Sequence, residues 1–515
     1  MSKALAADRT VAVIGAGTMG AGIAQVAAQA GHPVRLFDAV DGAVARGIEG
    51  VAAQLDGRVA KGKLDAAARD AILNRLQPAA SLADLGDASL VIEAIVEDVS
   101  VKQQVFGELE GLCGADTILA TNTSSLSVTA IAAGLTRPQN LVGMHFFNPA
   151  PVLKLVEIVS GLATNPAVAD TVFSTAEAWG KVPVHARNTP GFIVNRVARP
   201  FYAETLNLLE QQVADAATLD ALMRECGGFR MGPCQLMDLI GQDVNARVTT
   251  TVFHAFHGDA RYRPSLVQRE LVDAGRLGRK SGLGFYGYGE DAGLPSPQSA
   301  DPRPAPESVT IITSGGEQGL LAPLAERLRT AGVTIALIDG GGETIEVAGA
   351  TLLLSDGRLA TERAVTEGLD NLVVFDLALD YGSASRIALA AADTTADISR
   401  AAAAAVFQAA GLAVSWLDDA PGLLVLRTAV MLANEGANAV HEGIADARSV
   451  DDAMCFGVNY PIGPLTWADR LGSAFVLRVL NHLQAAHGDD RYRPSLRLRR
   501  LAACDGRFHE GAESS

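Results

Sequence analysis

The sequence predicts an α/β protein: a doubly wound, mostly parallel sheet domain, then an all-α domain, then a degenerate second copy of both. Three observations carry this. Over residues 1–187 short apolar runs alternate with helix-length segments, the pattern of parallel strands joined by crossover helices. Helical periodicity takes over from about Thr189 to Gly278, as in FIVNRVARPFYAETLNLLE at 192–210. HGDARYRPSL at 257–266 then returns as HGDDRYRPSL at 487–496, a match too long for chance that marks an internal duplication.

Taken in order, the expected strands are VAVIG (11–15), VRLFD (34–38), LVIEAI (90–95), TILAT (117–121), LVGMHF (141–146), LVEIV (155–159) and KVPVHA (181–186). The Pro- and Ser-rich stretch GLPSPQSADPRPAPES (293–308) reads as a linker. Beyond it the first half repeats in worn form. VTIITSGGEQG (309–319) and AGVTIALID (331–339) parallel VAVIGAGTMG (11–20) and AGHPVRLFD (30–38). DAPGLLVLR (419–427) parallels NTPGFIVNR (188–196), and IGPLTWAD (462–469) parallels MGPCQLMD (231–238). The expected domains are 1–187, 188–292, 309–419 and 420–515, with 293–308 as the linker.

Composition narrows the function. A chain of 515 residues is too long for one ordinary domain. With 49% hydrophobic and 19% charged residues it builds cores rather than disorder. A net charge of −16 argues against nonspecific nucleic-acid binding. Cys113, Cys226, Cys234, Cys455 and Cys504 are few, odd in number and without metal spacing, so no metal is expected and reduced thiols in a cytosol are. No apolar run reaches about 18 residues and Met1–Arg9 is no signal peptide, so the expectation is a cytoplasmic protein without a membrane partner.

GAGTMG (15–20) follows a strand and opens a helical run. It fits the dinucleotide fingerprint. Gly15 makes the tight turn, Gly17 admits a pyrophosphate against the backbone, and Gly20 lets the helix pack closely, with Thr18 and Met19 between them. The helix N-terminus faces the phosphates. The next strand ends in Asp38, which suits ribose hydroxyls and repels a 2′-phosphate. No basic residue follows at Ala39 or Val40, so NAD is favoured over NADP. In the second copy Thr313 and Gln318 replace the outer glycines, and a nucleotide-binding shape without the nucleotide is expected.

VGMHFFNP (142–149) delivers His145 to a strand end, and KLVEIV (154–159) carries Glu157 twelve residues on. Imidazole is the side chain best suited to taking a proton near neutral pH, and a carboxylate can hold it in one tautomer. A base beside a nicotinamide cofactor is equipment for oxidising an alcohol. A histidine like His145 on an apolar strand is by itself more often a satisfied core residue; the glycine loop and Glu157 together turn the reading toward catalysis.

TNTSSLS (121–127), VGMHFFNP, KLVEIV and NTPGFIVNR occur in that order behind GAGTMG. The set resembles the L-3-hydroxyacyl-CoA dehydrogenases over residues 9–290, and the length with its worn second copy resembles the family's long bacterial form, which acts in phenylacetate catabolism. The resemblance implies NAD-dependent oxidation of an L-3-hydroxyacyl-CoA to the 3-ketoacyl-CoA. It implies His145 as base, Glu157 orienting it, Ser124 touching substrate and cofactor, and Asn195 as an amide at the reacting groups. Asn148 and Lys280 match further cofactor-side positions, and Glu97 and Lys102 match residues beside the nicotinamide ribose.

Lys61, with Lys63, matches a lysine that meets CoA phosphates, although Gln54 stands where short relatives have a CoA-contacting serine. Asn195, taken to lie on the helical domain, would make domain closure a condition of reaction. 3-Hydroxyadipyl-CoA is one implied substrate. 3-Hydroxybutyryl-CoA or a fatty-acyl homologue is the alternative, and a free β-hydroxyacid a second. Leu426 replaces Asn195 in the second copy, so that half is expected to be structural. It would pack as a neighbouring subunit's domain does in short dimeric relatives.

Overall fold

The computed structural model describes residues 3–289 and 292–509. By its contacts the chain gathers into two compact units: Met1–Arg196 with Glu442–Val458, and Val197–His441 with Asn459–Ser515.

The first unit is built on one sheet of β1 (Val11–Ile14), β2 (Val34–Phe37), β3 (Leu76–Pro78), β4 (Leu90–Glu93), β5 (Ile118–Thr121), β6 (Leu141–Phe146), β7 (Leu155–Ser160) and β8 (Val182–Arg187). Their spatial order is β3-β2-β1-β4-β5-β6-β7-β8. Every neighbouring pair is parallel except β6 and β7. The seven expected strands are all present. β3 is the addition: it is three residues long and ends in proline, a residue that only a sheet edge tolerates, and it is too short for a readable alternation.

β1, β4 and β6 are buried along their whole length, as a sheet covered on both faces requires. Chain order runs outward from β1 in both directions. β1 and β4 therefore flank the switch point, where the strand ends open a crevice. Helix Thr18–Gln29 follows β1 and buries Gly20, Ala21, Gly22, Ala24 and Ala27, small residues that let it lie close to the sheet.

The last piece of this unit comes from the second copy. Helix Ala447–Val458 packs against β7 and β8. The Arg187 amide donates to Ile444 O at 2.9 Å. A Cβ added at Gly457 would lie 2.5 Å from Leu155 Cδ2, so a larger residue would force Leu155 to shift.

The second unit contains a reduced sheet of β9 (Ser308–Thr313), β10 (Thr334–Asp339), β11 (Thr344–Val347), β12 (Ala350–Leu354), β13 (Leu372–Phe375), β14 (Arg386–Ala391) and β15 (Ala413–Trp416). The order is β10-β9-β11-β12-β13-β14-β15. β11 runs antiparallel to both β9 and β12, so a hairpin stands where the first copy has a parallel strand with its crossover helix. The loop after β9 is closed by carboxylates: Glu343 accepts from the Thr313 hydroxyl and from Ser314 N, and Asp339 accepts from Gly315 N. The Ser314 and Gly315 amides of this loop are thus bonded to carboxylates. The linker is pinned rather than loose, with Gln298 N on Thr218 Oγ1 and Ala300 N on Val414 O.

The two helical modules meet in this unit by reciprocal contacts. Tyr262 donates to Glu435 at 2.6 Å, and Tyr492 donates to Glu204 at 3.0 Å. Arg263 pairs with Asp489 and Arg493 with Asp259. Each contact is the other with the copies exchanged, which is the signature of a two-fold interface. Among the described residues no helix is long and apolar enough to cross a membrane. All five cysteines are free.

Candidate active site

The glycine loop is shaped by the protein's own packing at two positions and left open at the third. Gly15 has φ +96° and would place a Cβ 2.4 Å from Ala94 O, while a Cβ on Gly20 would lie 1.7 Å from Gly15 O. Gly17, at the N-cap of helix Thr18–Gln29, has nothing within 4 Å of its would-be Cβ. That open face is what a pyrophosphate against the backbone needs, so these residues fit a dinucleotide. Thr18 is exposed and Met19 half-buried.

Asp38 ends β2 beside the loop and accepts from Ala16 N at 2.7 Å and Val40 N at 2.8 Å. These amides hold the carboxylate at the rim of a 420 Å³ groove lined by Gly17, Thr18, Asp38, Arg46, Gly50 and Gln54. Arg46 escaped the sequence reading, which looked for basic residues only directly after Asp38. One helical turn into Ala43–Ala60, it reaches the same groove.

The antiparallel pairing of β6 and β7 sets His145 directly across from Glu157. His145 Nδ1 lies 2.6 Å from Glu157 Oε2, and both side chains are buried. The other carboxylate oxygen accepts from Ile193 N at 2.9 Å and Val194 N at 3.0 Å, where a short helix begins. Glu157 is therefore held at both oxygens. As an acceptor it fixes Nδ1 as the protonated nitrogen and leaves Nε2 as the basic one. Rings of Phe147 and Phe192 lie 4.4 Å and 5.8 Å from the imidazole. Phe192 has φ 47°, but so does its second-copy counterpart Leu423, at 49°. The strain belongs to the turn, not to the chemistry.

Ser124 and Asn195 meet at the same end of the sheet. Asn195 Nδ2 donates to Ser124 O at 3.3 Å, and the Ser124 hydroxyl has no protein partner among the described residues. Asn195 falls in the first unit with His145. Glu157 and Ser124 tie the segment of Asn195 to the sheet.

Glu97 gathers this loop, accepting from Thr123 Oγ1 at 2.5 Å, Ser124 N at 3.1 Å and Ser125 Oγ at 3.1 Å. Burial alone would raise its carboxyl, but the Thr123 hydroxyl and the Lys102 ammonium outweigh burial and hold it below its ordinary value. Lys102 is buried and bridges Glu97 at 3.3 Å and Glu93 at 2.5 Å. Glu93, fully buried and bonded also to Thr121 Oγ1 at 2.7 Å, was missed. Its signal was a carboxylate inside the apolar run LVIEAI.

Asn148 is exposed in the loop after β6, and Lys61 and Lys63 are exposed just past helix Ala43–Ala60. Lys280 belongs to the second unit, where it pairs with Asp243 at 2.5 Å. Among the described residues no group of three or more His, Cys, Asp or Glu side chains could hold a metal.

The second copy has lost the pair. Asp376 and Ala388 stand at the positions of His145 and Glu157, joined by the Asp376 N to Ala388 O bond. Burial pushes the Asp376 carboxyl up to about 6 against four backbone donors, Leu377, Leu424, Val425 and Leu426. The acid that anchors the following helix has moved one strand over, and no base remains.

Family models match nearly the whole chain. The 3-hydroxyacyl-CoA dehydrogenase NAD-binding domain matches residues 10–189, and the C-terminal domain of the same family matches 191–288 and again 422–510. The 3-hydroxybutyryl-CoA dehydrogenase reduced Rossmann-fold domain matches 352–421. The 3-hydroxyadipyl-CoA dehydrogenase of Escherichia coli is 43% identical over 97% of this chain and 98% of its own length. A 3-hydroxybutyryl-CoA dehydrogenase of Clostridioides difficile is 42% identical over 54% of this chain and 99% of its own. Among solved structures, one described as 3-hydroxybutyryl-CoA dehydrogenase from Escherichia coli superposes with a TM-score of 0.87 at 42% identity, covering 97% of this chain and 99% of that one.

Proposed function

For this chain, which belongs to the 3-hydroxyacyl-CoA dehydrogenase family and is an NAD-dependent oxidoreductase acting on an acyl-CoA, we propose that His145 is the catalytic base and Glu157 the residue that sets it. The observation that carries this is the 2.6 Å contact between His145 Nδ1 and a Glu157 carboxylate whose other oxygen is bonded to two amides. Bound NAD supplies the hydride acceptor. His145 Nε2 takes the proton of the C3 hydroxyl as the C3 hydrogen leaves with its electron pair, and the C–O bond becomes a ketone. The imidazolium so formed is stabilised by buried Glu157.

The Ser124 hydroxyl and the Asn195 amide are neutral donors suited to the oxygen that carries developing charge. Asp38 holds the ribose hydroxyls, and the amides around Gly17 hold the pyrophosphate. The chain of Glu93, Lys102 and Glu97 braces the Ser124 loop beside the cofactor. Asn148 and Lys280 are further cofactor-side residues by family resemblance, and Lys61 and Lys63 are the cations for CoA phosphates.

The acyl group is that of 3-hydroxyadipyl-CoA or 3-hydroxybutyryl-CoA; the full-length relative named for the dicarboxylic substrate favours the first. The second half takes the part of a dimer partner, supported by the reciprocal Tyr262–Glu435 and Tyr492–Glu204 bonds. Five unpaired cysteines suit the cytoplasm. The deciding experiment follows NADH formed from L-3-hydroxybutyryl-CoA and from free 3-hydroxybutyrate, and NADH consumed by 3-oxoadipyl-CoA and by acetoacetyl-CoA. Turnover of thioesters alone is expected. Turnover of the free acid alone would overturn the reading.

A further inference from the structure

The duplicated RYRPSL motif builds a feature that hydride transfer does not use. In the second unit Arg199 lines a pocket with Arg261 and Arg491, the arginines that open the two copies of the motif. All three are buried. Their charges do not balance. Around this layer the buried cations are Arg199, Arg261, Arg427 and Arg491, and the buried anions are Glu204 and Glu435. The outer pairs, Arg263–Asp489 and Arg493–Asp259, are each neutral, and burial holds His487 in its neutral form with a pKa of about 4. The layer carries an excess of two positive charges: Arg427 and Arg491 share Glu204, Arg261 stands 3.8 Å from Glu435, and Arg199 has no carboxylate partner.

Arg199 is the sharpest case. Its one hydrogen bond is from Nη1 to the neutral Thr249 Oγ1 at 3.0 Å, and its guanidinium stands over the Tyr202 ring at 5.0 Å. Its Nε and the Nε of Arg261 are buried without a hydrogen-bond partner, and Arg491 Nη1, also without a hydrogen bond, stands 3.8 Å from Glu204 Oε1. Burial pulls the Arg199 guanidinium below its ordinary value, yet arginine keeps its proton in proteins. An uncompensated buried charge is costly. The corresponding residue of the second copy is Val430, so the helix position itself needs no charge. The free space, 20 Å³, holds about one water, room for a single oxygen of a carboxylate set against the guanidinium donors.

We propose that Arg199, Arg261 and Arg491 form an oxyanion site that takes a carboxylate. The occupant is a free carboxylate anion.

The test uses the full-length protein, Arg199→Val (the second copy's residue) and Arg199→Lys. Thermal unfolding is followed with acetate, adipate and inorganic phosphate at constant ionic strength, a readout independent of turnover. The site predicts a saturable rise in Tm with the carboxylates, a smaller one with phosphate, no response in Arg199→Val and a partial response in Arg199→Lys. Without anion, Arg199→Val should melt no lower than the parent. Because the occupant is a free anion, Arg199→Val leaves the ratio of kcat/KM for 3-oxoadipyl-CoA to that for acetoacetyl-CoA unchanged; a loss confined to 3-oxoadipyl-CoA would overturn the free-anion assignment. An Arg199→Val protein that melts lower, from a parent that no carboxylate stabilises, would make Arg199 a stacking residue on Tyr202 and end the proposal.

Discussion

Glu442, from the degenerate half, closes a two-bonded fork on Arg196, the residue next to Asn195: Nη1 to Oε2 at 2.7 Å and Nη2 to Oε1 at 3.1 Å. Arg196 is 1% exposed. Arg427, its counterpart, turns instead to Glu204 and Tyr492. The worn copy therefore braces the segment that carries the amide of the working one. For Glu442→Ala we expect kcat to fall about tenfold to a hundredfold, because small misplacements of a positioning group are costly. KM for NAD should hold, and Glu442→Asp should restore part of the loss. Equal losses in Glu442→Asp and Glu442→Ala, with NAD binding weakened, would point to general unfolding.

His145→Ala should lose roughly 10² to 10⁴ in turnover and keep NAD affinity. Glu157→Gln should also lose turnover, since an amide no longer stabilises imidazolium. It should lower Tm as well, because the same side chain accepts from Ile193 N and Val194 N. Steady-state rates and NAD titration separate the two.

The glycine loop predicts a contrast between neighbours. Gly17→Ala should fold normally and bind NAD weakly, since its Cβ meets only open space. Gly20→Ala should lose stability, since its Cβ would sit 1.7 Å from Gly15 O. Melting curves with and without NAD distinguish the outcomes.

Asp38→Ala should weaken NAD binding by about tenfold, the value of one or two hydrogen bonds to a charged group. It should also narrow the gap between NAD and NADP, because the charge that repels a 2′-phosphate is gone. Affinities for both nucleotides measure this.

His487 stacks on Tyr492 at 4.8 Å. Burial, then the Arg427 charge, lowers its pKa from 6.5 to about 4, against the pull of Glu204 and Asp489. Between those values the unfolded chain holds the proton and the folded one does not, so stability is lost as pH falls from about 6.5 to about 4. Asp376, raised to about 6, acts in the opposite sense over nearly the same window. The difference in Tm between the parent and His487→Phe should therefore change across pH 4 to 6.5 and level off above it.

The dyad was legible because its parts are local. His145 and Glu157 lie twelve residues apart on two adjoining apolar runs, and an antiparallel pair of such length has few registers. The glycine fingerprint was legible because it is contiguous. Glu93 and Lys102 were half legible: the charges stood in view, but their burial depends on which helix covers them. Glu442 was not legible as the partner of Arg196. The two lie 246 residues apart, and nothing near either one marks the pairing.

The order of most strands and helices, the duplication and the cofactor loop were determined by the sequence alone, because periodicity, turn chemistry and short spacings are properties of neighbours along a chain. Tertiary structure alone decided that Glu442 pairs with Arg196, that the second copy's helix Ala447–Val458 backs β7, and that Arg261, Arg427 and Arg491 share two glutamates. Those facts depend on burial and on long-range contacts, where a charge costs most and finds its partner only once the chain has closed around it.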